Sequence, residues 1–270
     1  HIVGVTEGSV GANSEQDPQR AISEVGMAAF HSTARLVFLA MLLTAVTGSN
    51  AAAQPRAVIE LFTSQGCSSC PPADELLAKM ANEPDVITLS LPVDYWDRLG
   101  WKDTFAKHAF TERQAAYASV RGDGQVYTPQ AVVNGLQHTV GSRRSGIDQA
   151  VRETYASLRV PLSVERKANE IIISAGAADN DSAVRGKIVL MPILGARQVV
   201  IGRGENANRK LIYTNIVRDI IPIGTWNGRA AEIKIPAAQF KDYDGVVVLL
   251  QAGTITEPGA IIGAARAPLR

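Results

Sequence analysis

The chain has 270 residues, 46% of them hydrophobic and 20% charged, and its 27 Lys and Arg against 26 Asp and Glu leave a net charge of +1. That balance excludes a disordered chain, and the absence of any basic run argues against a nucleic-acid partner. The length allows two domains, and no heptad or longer internal repeat is visible.

Residues 1–26 precede Met27 and are set aside as an upstream segment that is not native mature protein. His31 and Arg35 then lead into an apolar run from Leu36 to Val46, followed by Ala51-Ala52-Ala53. A short positive region, an apolar core and an A-x-A site make residues 27–53 a secretory signal peptide, with Gln54 starting the mature chain. The core is too short to span a bilayer. The expected product is exported, periplasmic or secreted, without a stable membrane span, and in such a compartment a disulfide persists.

Val58 to Phe62 is an apolar run broken by Glu60 and reads as a buried strand. Gly66-Cys67-Ser68-Ser69-Cys70-Pro71-Pro72 follows, holding the two cysteines of the chain in C-x-x-C spacing. Leu76, Leu77 and Met80 then mark the apolar side of a helix, in whose first turn Pro71 and Pro72 are tolerated. Val86 to Val93 is a second strand, completing a βαβ unit. Trp96 and Trp101 flank a turn at Gly100, and Thr111-Glu112-Arg113-Gln114 reads as a capping box opening a helix. Asn134-Gly135 between two apolar runs, 130–133 and 136–140, is a strong hairpin signal. Ile147, Val151, Tyr155 and Leu158 share one face of a last helix opened at Ser145.

With C-x-x-C between strand and helix, Tyr127-Thr128-Pro129 before a strand, the Asn-Gly hairpin and Gly141 closing the last strand, residues 54–159 resemble the thioredoxin-like fold. Phe62 to Asp74, with its Gly-Cys-Ser-Ser-Cys-Pro-Pro-Ala-Asp stretch, is similar to a family of uncharacterised secreted bacterial proteins that carry an extra C-terminal domain. The resemblance implies a fold and no established substrate. It also implies that Thr128–Pro129 is a cis-proline bond facing the cysteines, where its backbone would pair with an extended substrate.

Thiol–disulfide exchange needs one accessible thiolate and a second thiol near enough to resolve the mixed disulfide. Cys67, at the start of the helix, is the candidate nucleophile, and Cys70 the resolving thiol. Ser68 and Ser69 are candidate contacts for substrate and for a Cys67 thiolate. Glu60, seven residues before Cys67, is a candidate proton relay, with a surface or ion-paired carboxylate as the alternative; Asp94 is a weaker candidate of the same kind. The competing readings are a non-catalytic binding module with a structural disulfide, and a metal-handling dithiol protein using His108 or His138 as a further ligand. No second C-x-x-C or zinc motif appears, so neither metal nor cofactor is expected. Protein or small-molecule thiols and disulfides are the expected partners.

Beyond Val160 the pattern changes to about eight short strands separated by turn clusters, at 162–165, 171–173, 187–190, 199–201, 211–213, 231–235, 245–250 and 260–262. The expectation is a mostly antiparallel β-sandwich domain over 160–270 behind the α/β thioredoxin-like domain. Gly202-Arg203-Gly204-Glu205-Asn206 lacks the lysine and helix of a phosphate loop and reads as a hairpin turn. Arg218-Asp219 interrupts an apolar run, as a paired couple or a strand-edge kink.

Overall fold

A computed structural model describes residues 54–179 and 184–270; the upstream segment and signal peptide read at 1–53 lie outside the described residues. Strand β1 (Ala57–Thr63) is buried along its whole length, and so is β2 (Val86–Pro92), its parallel neighbour. Near-continuous apolar strands of this kind need cover on both faces. Between them runs α1 (Pro71–Met80), with proline at its first positions and Lys79 in its last turn.

Helix α2 (His108–Arg121) ends at Gly122, whose φ of 75° is the left-handed conformation that closes many helices. It starts three residues before the capping-box threonine, because the Thr111 hydroxyl donates instead to Asp94 Oδ1 at 2.6 Å. Strands β3 (Gln130–Val133) and β4 (Gln137–Val140) form the hairpin, turning through Asn134 and Gly135 at φ 52° and 72°. Helix α3 (Arg144–Thr154) follows.

Ten further strands complete the chain: β5 (Leu162–Lys167), β6 (Glu170–Ala175), β7 (Gly186–Leu194), β8 (Arg197–Val200), β9 (Lys210–Tyr213), β10 (Ile216–Val217), β11 (Ile221–Trp226), β12 (Ala231–Pro236), β13 (Gly245–Gly253) and β14 (Pro258–Pro268). A nine-stranded mixed sheet runs in the order β14-β13-β7-β10-β2-β1-β3-β4, with β11 also on β7. Strands β12-β6-β5 form a second sheet and β8-β9 a third.

This corrects the expected fold class. The described chain is mostly β with three α-helices, and it does not divide into an α/β thioredoxin-like domain and a separate sandwich. The free edge of β2 is paired by Ile216 of β10 opposite Ser90, and β10 pairs in turn with β7. A fully buried strand cannot leave its backbone groups unpaired, and here the second half of the chain supplies the partner.

The core follows the same continuity. Ala57, Ile59 and Leu61 on one face of β1 pack with Leu77 and Met80 of α1 and Ile147 and Val151 of α3. Val58 and Phe62 on the other face join Phe110 and Tyr117 of α2, and that cluster extends to Val189, Met191, Val247 and Ile261. Farther along, the opposite face of β7 and β13 (Ile188, Leu190, Val246, Val248) packs against Ile171 and Ile173 of the three-stranded sheet.

Candidate functional site

Cys67 and Cys70 form a disulfide, with Cα atoms 5.4 Å apart, in the loop that carries β1 into α1. Cys70 is the N-cap residue of α1, and its carbonyl accepts the Ala73 and Asp74 amides at 2.8 and 3.1 Å. The pair thus sits where the unpaired amides and dipole of a helix N-terminus favour negative charge. Neither cysteine has exposed surface, whereas Ser68 and Ser69 between them are exposed. Ser69 Oγ lies 3.4 Å from Cys67 Sγ.

Thr128–Pro129, expected to face the cysteines, is a cis peptide, and the Thr128 carbonyl accepts from Ser69 Oγ at 3.5 Å. Trp96 Nε1 donates to Thr128 Oγ1 at 2.8 Å, so the tryptophan read only as flanking a turn holds this wall in place. Gly141 lets the wall close: a Cβ there would run into Leu61 Cδ1 and press on Pro129 and Ala73.

The cysteine loop is held by contacts that do not involve the sulfurs. The Gln65 amide donates to Asp103 Oδ2 at 2.7 Å, and Trp101 Nε1 donates to Gln65 Oε1 at 2.9 Å. Asn206 Nδ2 donates to the carbonyls of Gln65 and Cys67 at 3.0 and 2.8 Å. The 202–206 stretch is indeed the turn of the β8–β9 hairpin, and its last residue reaches the cysteine loop. Gly202 gives it room, since a Cβ there would meet the Trp101 ring at 2.8 Å. Arg218 and Asp219 do not pair with each other: Arg218 donates to the Phe105 carbonyl, and Asp219 meets Lys107 at 3.5 Å.

The carboxylates divide sharply. Glu60, read as a candidate relay, is fully buried and committed: Arg113 Nε and Nη2 donate to it at 2.6 and 3.1 Å, and Tyr117 Oη at 2.5 Å. Asp94 is taken up by Thr111 and by His108 at 3.0 Å. Asp103 is buried, which pushes its carboxyl up to about 6 although the Gln65, Phe105 and Ala106 amides hold it down. Asp74, read only as part of a helix start, is 4% exposed, and neither of its oxygens has a hydrogen-bond partner among the described residues.

His138 is engaged with Asp123 at 3.1 Å and Tyr127 at 2.9 Å, and is not brought to the cysteines. Among the described residues no cluster of three or more His, Cys, Asp or Glu has metal-holding geometry, and no helix is long and apolar enough to cross a membrane.

A protein from Agrobacterium tumefaciens solved by X-ray crystallography is similar to this chain, with 36% identity and a TM-score of 0.72 over 80% of this chain and 96% of that one. No curated protein matches. Residues 58–251, which take in the cysteine loop, its cis-proline wall and most of the large sheet, match the family described as Protein of unknown function (DUF1223), and the chain belongs to that family.

Proposed function

We propose that this chain is an exported thiol–disulfide oxidoreductase that cycles Cys67 and Cys70 between dithiol and disulfide, acting on protein or small-molecule thiols. The observation that carries this reading is the redundancy of the disulfide as a clip. Asp103, Trp101 and Asn206 already hold the loop from Gln65 to Cys67. Closing a loop of four residues adds only about 2 kcal/mol in the chain-entropy account. A bond that adds little to an anchored loop, placed at a helix N-terminus, is better explained by chemistry at sulfur. Ser68 and Ser69 offer an exposed surface over the pair, and the Thr128 carbonyl beside Ser69 is a main-chain acceptor at its edge.

Export rests on the signal-peptide pattern of 27–53 and agrees with the presence of a disulfide. In the exchange reaction a substrate disulfide is attacked by the Cys67 thiolate, which the helix N-terminus stabilises. Cys70 then attacks Cys67 Sγ, restoring the internal disulfide and releasing the substrate thiolate.

One observation favours a second reading, a structural disulfide: neither cysteine has exposed surface. The two readings separate in one experiment. A Cys70→Ser variant, offered a peptide disulfide, should accumulate a covalent adduct on Cys67 detectable by mass spectrometry, and the wild-type pair should show a reduction potential above about −300 mV. No adduct, with a potential below that value, establishes the structural disulfide instead.

A further inference from the structure

Breaking the Cys67–Cys70 bond places an electron pair on the sulfur of a residue with no exposed surface. A thiolate deprived of water is costly, so a proton has to reach that sulfur from nearby. Glu60 is saturated by Arg113 and Tyr117, and Asp103 accepts three backbone amides. That leaves one buried carboxyl on the helix that carries Cys70.

Asp74 lies one turn beyond Cys70. Residues four apart share a helix face, and helical side chains lean toward the N-terminus, which directs the Asp74 carboxyl back toward Cys70. Around it the structure concentrates polar atoms that have nothing to bond. Seven buried side-chain nitrogen or oxygen atoms lack a partner among the described residues. Four of them belong to this spot: both Asp74 oxygens, Thr63 Oγ1 at the end of β1, and Tyr213 Oη on β9. Buried polar atoms are nearly always paired, so such a concentration marks a place where protons or water are handled. A cavity of about 420 Å³ between α1 and β9 is lined by Asp74 and Pro71, and reaches exposed Glu75, Lys79, Lys210 and Ile212 at its rim.

Burial pushes the Asp74 carboxyl well above the usual range; the nearby Thr63 hydroxyl acts the other way, and Asp103 and Glu75 add to the rise. Tyr213 is raised as well, by burial and then by Asp74 and Asp103, with Arg209 acting the other way. Burial therefore shifts Asp74 toward its neutral form beside the intact disulfide.

We propose that Asp74 is the proton donor and acceptor for Cys70 Sγ, an inference that rests on the exchange chemistry proposed above. A thiolate RS⁻ attacks Cys67 Sγ, and the Sγ–Sγ bond breaks with its electron pair passing to Cys70 Sγ. The Asp74 carboxyl gives its proton to that sulfur. The products are the RS–Cys67 mixed disulfide, the Cys70 thiol and the Asp74 carboxylate, which regains a proton from solvent through the cavity. In the reverse direction the carboxylate takes the Cys70 proton as Cys70 Sγ attacks Cys67 Sγ and expels RS⁻.

The test follows reduction of the full chain by excess dithiothreitol, with acid quenching and alkylation, from acid to mildly alkaline pH. Rates are divided by the dithiothreitol thiolate concentration. The wild-type rate should fall on the alkaline side as Asp74 loses its proton; Asp74→Asn should lack that fall and be roughly tenfold or more slower below it. A second readout needs no variant: the infrared difference spectrum of reduced minus oxidised wild type should show a shifted protonated-carboxyl band, because the re-protonated Asp74 then faces a thiol in place of the disulfide sulfur. An Asp74→Asn protein with the wild-type pH profile, or a wild type with no carboxyl change, overturns the role of Asp74 while exchange stands. A wild-type disulfide inert in the folded protein but reduced in denaturant overturns the exchange reading, and this inference with it.

Discussion

Arg113 of α2 and Glu60 of β1 meet in a two-pronged ion pair with no access to water, Nε to Oε1 at 2.6 Å and Nη2 to Oε2 at 3.1 Å. The same Nη2 donates to Gln251 Oε1 at 3.0 Å, and Gln251 Nε2 donates to Tyr117 Oη at 2.8 Å. Burial alone would lower the Arg113 pKa, but the Glu60 carboxylate and the hydrogen bonds to Glu60 and Tyr117 reverse that and keep the guanidinium protonated. One network therefore joins β1, α2 and β13 across the middle of the large sheet.

Removing one partner leaves a buried charge without compensation. Arg113→Met should cost about 3–5 kcal/mol. The double variant Glu60→Leu with Arg113→Met should recover most of that, because well-packed apolar residues often replace a buried pair at little cost. Urea unfolding midpoints of the two single variants and the double give the coupling directly.

Asn206 links the β8–β9 hairpin to the cysteine loop through two carbonyls, and its own Oδ1 accepts from Arg209 at 2.9 Å. Asn206→Ala leaves the Gln65 carbonyl without its donor and the Cys67 carbonyl with only the Cys70 amide at 3.3 Å. The expected loss is about 1–3 kcal/mol, together with faster reduction of the disulfide as the loop loosens. Denaturant unfolding and a timed alkylation assay check the two effects separately.

Asp103 makes stability depend on pH in an unusual direction for a carboxylate. Its folded pKa of about 6 lies above the ordinary 3.8, so the folded state binds the proton more tightly than the unfolded chain. Stability therefore falls as pH rises from about 4 to about 6, by roughly 3 kcal/mol from this group if its full shift is realised. Asp74 acts in the same sense. Asp103→Asn should flatten the profile, as read from unfolding free energies measured at a series of pH values.

The disulfide itself should matter little to stability. The double variant Cys67→Ala and Cys70→Ala is expected to keep the wild-type circular dichroism and to lose no more than about 2 kcal/mol. A larger loss would favour the structural reading of the pair.

Much of the local backbone is legible along the chain. Pro71 and Pro72 can only open a helix, Asn134 and Gly135 adopt the positive φ that a tight hairpin needs, and Gly122 ends α2 in the same way. Strand β10 was not legible: two residues, Ile216 and Val217, have no period to read. Yet that strand joins the two halves, and missing it made one sheet look like two domains. Nor was the capping box a reliable start for α2, because Thr111 is drawn to Asp94 by a contact between distant segments.

The site divides along the same line. Spacing alone puts Cys67 and Cys70 within disulfide reach at a helix start, because those constraints act over a few residues. Only the tertiary structure decided what surrounds them. Asn206 reaches Cys67 across 139 positions of chain, Glu60 is spent on Arg113, and Asp74 is left buried without a hydrogen-bond partner among the described residues. Burial and partnership depend on which distant segments the sheet order brings together, and strand pairing between remote segments leaves no periodic trace in either of them.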